Sequence, residues 1–128
     1  GSTAAWYGDR TEIVVVETDG TATYAAALAH GAPTDIEVSG IAADALGATR
    51  LGSHPWDALH RVGATSVVVS DADVVAARRQ LWSWLRIVVE PAAAAPVAAL
   101  ITGAWRPTPG THIGIVVCGA NTTLDLTP

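Results

Sequence analysis

Three short runs of β-branched and aliphatic residues limit the folds open to this chain: Glu12–Glu17 (EIVVVE), Ser66–Ser70 (SVVVS) and His112–Val117 (HIGIVV). None alternates apolar with polar residues. Each therefore reads as a strand covered on both faces, as in parallel sheets. The stretches between them carry helical signals. Thr21–His30 is Ala-rich and stops at Gly31, the residue type that best closes a helix. Ser70 can cap a long helix, with Asp73 completing a near capping box. Val74, Val75, Leu81, Trp82 and Leu85 give that helix an apolar face. A further helix follows Glu90-Pro91 and ends near Gly103. Its start is expected at Ala92 or Ala93, which keeps Pro96 in the first turn, where no N–H is needed.

Two shorter elements complete the reading. Ile36–Val38 is a candidate strand, and Ser53 can cap a helix over His54–Arg61. Residues 39–53, rich in Gly, Ala and polar side chains, read as a functional loop. The order strand–helix–strand–helix–helix–strand predicts an α/β fold with a mostly parallel sheet. Three strands are few for such a sheet. One edge should be open, and other chain segments are expected to complete it.

Composition excludes several function classes. The net charge is −5 and no basic stripe is present, which argues against nucleic acid or an anionic membrane as partner. The Arg78-Arg79 pair lies in the long helical pattern and reads as a solvated helix face. A single cysteine rules out an internal disulfide. No signal-peptide pattern opens the chain and no apolar run is long enough for a bilayer, so a cytoplasmic setting is the default. His30, His54, His60 and His112 share no spacing that pairs them on one helix or strand face, so neither a zinc site nor a Ser-His-Asp triad is indicated.

One segment points to chemistry. Cys118 closes the third run, followed by Gly119-Ala120-Asn121. Ligands of open α/β sheets bind at the carboxyl ends of strands. Small residues there let a flat ring approach the backbone. Taken alone, Cys118 also reads as a packed core cysteine.

Four segments in order carry a resemblance: EIVVVETDG (12–20), GIAADALGATRLG (40–52), VSDADVVAARRQLWSWLRIVVEPAAAA (69–95) and IVVCGAN (115–121). Together they resemble the C-terminal region of the serine/threonine dehydratases. These are pyridoxal-phosphate (PLP) enzymes of the tryptophan-synthase-β, or type II, fold. The resemblance covers residues 1–128. It implies a three-layer αβα architecture and an incomplete portion of the large domain. The chain has no lysine. The resemblance accounts for this by placing the Schiff-base lysine and the glycine-rich phosphate loop upstream of residue 1. It therefore implies no catalytic residue within the chain.

What it carries over is the ring-facing side of the site. Cys118 matches the residue facing the pyridine nitrogen, and Gly119 and Asn121 match the turn that follows. Glu90 matches a glutamate near the ring. Ala45 matches a position whose backbone approaches the ring. Each has a plainer reading: Glu90 as a carboxylate favoured by a helix N-terminus, Asn121 as a turn residue. Some family members bind a cation at the residue matching Glu17, with an acidic residue six positions on. Thr23 stands there instead. No metal is therefore expected, with Glu17 the remaining candidate and a carboxylate at a strand end the alternative.

The implied activity is removal of water and ammonia from L-threonine or L-serine to give a 2-oxo acid. The chain by itself is expected to be inactive and not to retain PLP. Its expected partners are the N-terminal part of the same enzyme, further copies in a homo-oligomer, and a small amino-acid substrate. The alternative is a non-catalytic interaction or regulatory module that pairs with a full-length dehydratase.

Overall fold

The computed structural model describes residues 1–120 and Thr122. The elements are α1 (Ser2–Tyr7), a 3-10 turn (Gly8–Arg10), β1 (Val14–Thr18), α2 (Thr23–His30), α3 (Ala43–Leu46), α4 (Ser53–Arg61), β2 (Thr65–Val69), α5 (Asp71–Leu85) and α6 (Pro91–Thr102). β1 and β2 pair in parallel, Val14 opposite Thr65 and Thr18 opposite Val69. Beyond that register, Thr65 N–H donates to Ile13 O at 2.9 Å and Asp19 N–H to Val69 O at 3.0 Å.

Both faces of this small sheet are covered, which gives the three αβα layers. On one face Val67 and Val69 of β2, with Val14 and Val16 of β1, pack against Val74, Ala77 and Leu81 of α5 and the alanines of α6. On the other, Ile13 and Val15 meet Ala4 of α1, Tyr24 of α2, and Ala58 and Leu59 of α4. Fully burying a valine stabilises by about 2 kcal/mol relative to leaving it exposed, so the β-branched runs anchor the fold. α6 is buried nearly all round, through Ala93, Ala94, Ala95, Val97, Ala98 and Ala99. Small side chains let it lie close to α5 and both strands.

Local signals account for some of the helix ends. α2 stops at Gly31, which is left-handed at φ 75°. α5 starts with the full capping box: Asp73 N–H donates to Ser70 Oγ at 3.2 Å and Ser70 N–H to Asp73 Oδ2 at 3.1 Å.

Several expectations fail. His112–Val117 forms no strand; among the described residues it joins no ladder. Its β-branched residues favour extended backbone, but a strand also needs a neighbour about 4.8 Å away. Val116 is 83 % exposed and Val117 48 %. Ile36–Val38 forms no strand; the isolated antiparallel bridge nearby pairs Asp35 with Arg50. Ser53 is the first helical residue of α4. Gly52 is its N-cap, and no side chain caps it. α6 starts at Pro91, so Pro96 lies inside the helix rather than in its first turn. Pro91 takes the first helical position because its missing N–H costs nothing there. The apolar face of α5 fades towards its end, where Leu85 is 61 % exposed.

Candidate active site

The carboxyl ends of β1 and β2 open onto one region, and two loop anchors fix its border. After β1, Thr18 and Thr21 close a turn through their hydroxyls, 2.8 Å apart. Gly20 in this turn receives loop 39–48: Ser39 N–H donates to Gly20 O at 2.9 Å. A Cβ at Gly20 would overlap the Ser39 carbonyl, so the close approach requires glycine. After β2, Asp71 reaches the same loop. Ile41 N–H donates to its Oδ2 at 3.0 Å. Gly40, at φ 87°, leaves room for that carboxylate. The other oxygen, Oδ1, is shut off from solvent without a partner among the described residues. These two anchors place α3, with Ala45, beside α6.

Glu90 and Cys118 come together. Glu90 N–H donates to Cys118 O at 3.1 Å. Glu90 is the N-cap residue of α6, yet its side chain makes no cap bond to the helix. The Glu90 carboxylate lies close enough to the Cys118 thiol for its charge to act on it. Partial loss of hydration, then the negative charge of Glu90, raise the thiol pKa above its ordinary value. Each favours the neutral S–H over the thiolate. Cys118 is exposed, so it is not a packed core cysteine.

Gly119 runs against the neighbouring segment, where a Cβ would come within 2.7 Å of Val88 O. The turn passes residues 88–89 at backbone contact, which explains the glycine. Asn121 lies outside the described residues. Arg78 is not a solvated residue. Its Nε donates to Val89 O at 3.0 Å and its Nη2 to Thr122 Oγ1 at 2.8 Å. Only Arg79 of the pair is exposed.

Glu17 serves a different purpose. The N-cap residue of α2 is Ala22, which has no side chain to cap with. Glu17, 7 % exposed, supplies the missing acceptor from β1. Tyr24 N–H donates to its Oε1 at 2.8 Å and Ala25 N–H to its Oε2 at 3.0 Å. Thr23 Oγ1 donates to Oε1 at 3.2 Å. The position that would carry the second acidic ligand thus carries a donor that binds the first. Burial, then the charge of Glu17, raise the pKa of Tyr24, whose hydroxyl donates to Ala64 O at 3.0 Å. Glu17, Thr21, Thr23, Ala45, Leu46 and Ala48 line a cavity of about 250 Å³. Among the described residues no three of His, Cys, Asp and Glu cluster to hold a metal ion, and no helix is long and apolar enough to cross a membrane.

Comparison with known proteins gives the family and the fold. The family described as "Pyridoxal-phosphate dependent enzyme" matches residues 2–119. The chain belongs to this family. A phenylserine dehydratase from Ralstonia pickettii is 30 % identical over 111 residues, covering 87 % of this chain and 34 % of that protein. The fold matches an L-serine ammonia-lyase from Rhizomucor miehei at TM-score 0.69, with 22 % identity over 80 % of this chain and 32 % of that one. It matches a T.th. threonine deaminase at TM-score 0.69, with 26 % identity over 83 % of this chain and 39 % of that one. The chain spans about a third of the length of these relatives. Their shared architecture is the type II PLP fold that the motif order implied.

Within this PLP-enzyme frame, the structure joins Glu90, Cys118 and Gly119 directly. It places Ala45 on the Glu17 cavity, with α3 resting on α6. Two residues escaped the sequence reading, Asp71 and Arg78. Asp71 accepts from backbone of a distant segment and Arg78 donates to the distant Thr122 hydroxyl, and no local pattern announces such contacts. The only hint for Asp71 was its place in the VSD motif.

Proposed function

We propose that this chain supplies the ring-facing wall of a PLP-dependent L-serine or L-threonine dehydratase. The observation that carries the reading is the Glu90–Cys118 pair, joined through Glu90 N–H and Cys118 O at 3.1 Å. When bound, PLP supplies an electron sink that stabilises negative charge at the substrate Cα, so that a β-hydroxyl can leave. The residues present fit one side of such a ring. Cys118 keeps its proton at Sγ around neutral pH, because its pKa is raised. It therefore faces the pyridine nitrogen as a neutral group and a poor proton source, which tempers the sink and suits elimination over longer-lived carbanion chemistry. Gly119 keeps bulk away from the turn, and Glu90 holds Cys118 through its backbone N–H.

The chain carries no lysine, so on this reading the group that bonds the cofactor belongs to the upstream part of the enzyme. The chain alone then neither turns over substrate nor retains PLP. Exposed Trp84, Leu85 and Val116 favour association with that part and with further copies in an oligomer. An exposed free thiol suits a reducing, cytoplasmic compartment.

The test is complementation. With PLP and L-threonine the chain alone should give no 2-oxobutanoate. Adding a polypeptide that covers the upstream two thirds of the fold should give turnover. Turnover by the chain alone would overturn the assigned division of labour. A complemented complex that binds but releases no 2-oxo acid from serine or threonine would favour a non-catalytic module.

A further inference from the structure

We infer that Arg78 is a positioning residue whose guanidinium clamps Val89 to Thr122 and so holds Glu90 and Cys118 in register. The inference rests on reading that pair as the ring-facing wall, but the pair's geometry can be measured without cofactor.

The two clamped atoms bracket the pair. Val89 O, 3.0 Å from Arg78 Nε, belongs to the residue just before Glu90. Thr122 Oγ1, 2.8 Å from Nη2, lies four residues after Cys118. Between these anchors run the Glu90 N–H to Cys118 O bond and the tight passage of Gly119 by Val88 O. Residues 112–117 take part in no ladder among the described residues. Sheet register therefore cannot set where Cys118 sits, and a few discrete contacts must. Arg78 provides two of them from α5, a 15-residue helix whose start is fixed by its capping box. A guanidinium is suited to this because its donors form a rigid plane that meets two acceptors at once. An ammonium is a single mobile point of charge.

Cys118 is the sole cysteine of the chain, so its alkylation by iodoacetamide against pH reports on its surroundings. Glu90→Gln removes the nearby carboxylate and should move the alkylation midpoint to lower pH. The size of that movement measures how closely Glu90 and Cys118 are held. Arg78→Lys keeps the charge and loses the planar fork. In that background the effect of Glu90→Gln should be at least halved, with unchanged far-UV circular dichroism. Thr122→Val, which removes one contact, should reduce it less.

An undiminished Glu90→Gln effect in folded Arg78→Lys would overturn the inference. Should Arg78→Lys fail to fold, Thr122→Val decides: a reduced effect supports the clamp and an undiminished one overturns it. Failure of the ring-facing reading shows elsewhere, as PLP affinity of the complemented enzyme that is indifferent to Cys118→Ala.

Discussion

Glu17 and Glu90 both stand before a helix of this fold, and only one of them is committed to it. Glu17 is buried and its two oxygens take three donors, two of them backbone N–H groups at the start of α2. Glu90 occupies the N-cap of α6 without capping it, and its carboxylate meets the Cys118 thiol. A carboxylate consumed by helix N–H groups stabilises the fold and has little left for a ligand. A carboxylate at a helix start whose charge acts on a thiol can influence chemistry there. The residue type is the same; the donors within reach separate the roles.

Removing each carboxylate tests the contrast most strongly. Glu17→Ala leaves two helix N–H groups and a hydroxyl without their acceptor in a buried place. It should cost on the order of 3 kcal/mol in urea unfolding. Glu90→Gln should leave the unfolding midpoint nearly unchanged while lowering the pH at which Cys118 alkylates. A Glu90→Gln variant as unstable as Glu17→Ala would erase the distinction.

Gly119→Ala tests how tightly the turn after Cys118 is seated. A Cβ at 2.7 Å from Val88 O forces backbone to move, at a cost of about 2 kcal/mol. The same variant should weaken PLP binding in the complemented enzyme.

Ser70→Ala gives the scale of an ordinary cap, about 1 kcal/mol. It also carries a pH signature. Hydrogen bonds from Ser70 lower the pKa of Asp73 below the usual carboxylate value. A lowered folded-state pKa contributes stability above the unfolded value, and that stability is lost as pH falls through the folded one. Ser70→Ala removes the hydroxyl donor but keeps the Ser70 N–H, so it should reduce this acid-side loss, seen as a flatter dependence of unfolding midpoint on pH in the acidic range. Glu90→Gln should leave the loss intact.

Legibility followed the range of the interactions. The two valine runs, the Gly31 stop and the Ser70–Asp73 box were readable because each depends on residues a few positions apart. His112–Val117 misled because strand propensity is local while a ladder is not. Pro96 misled because Pro91 had already taken the favourable first position. The Glu90–Cys118 pairing was legible only through the resemblance, since 28 positions separate the residues and no periodicity links them. Glu17 shows the same limit: its burial and its position before α2 turn a candidate ligand into a cap.

The sequence by itself determined an α/β chain whose valine runs must be covered on both faces, and the motif order that marks a PLP enzyme. Burial preference and helix capping are properties of short stretches, so they survive without coordinates. Only the tertiary structure decided which carboxylate is spent on a helix, which faces the thiol, and which arginine reaches across from α5. Those outcomes depend on the donors and acceptors that come within about 3 Å of each other, and distant segments meet at that range only once the layers are packed.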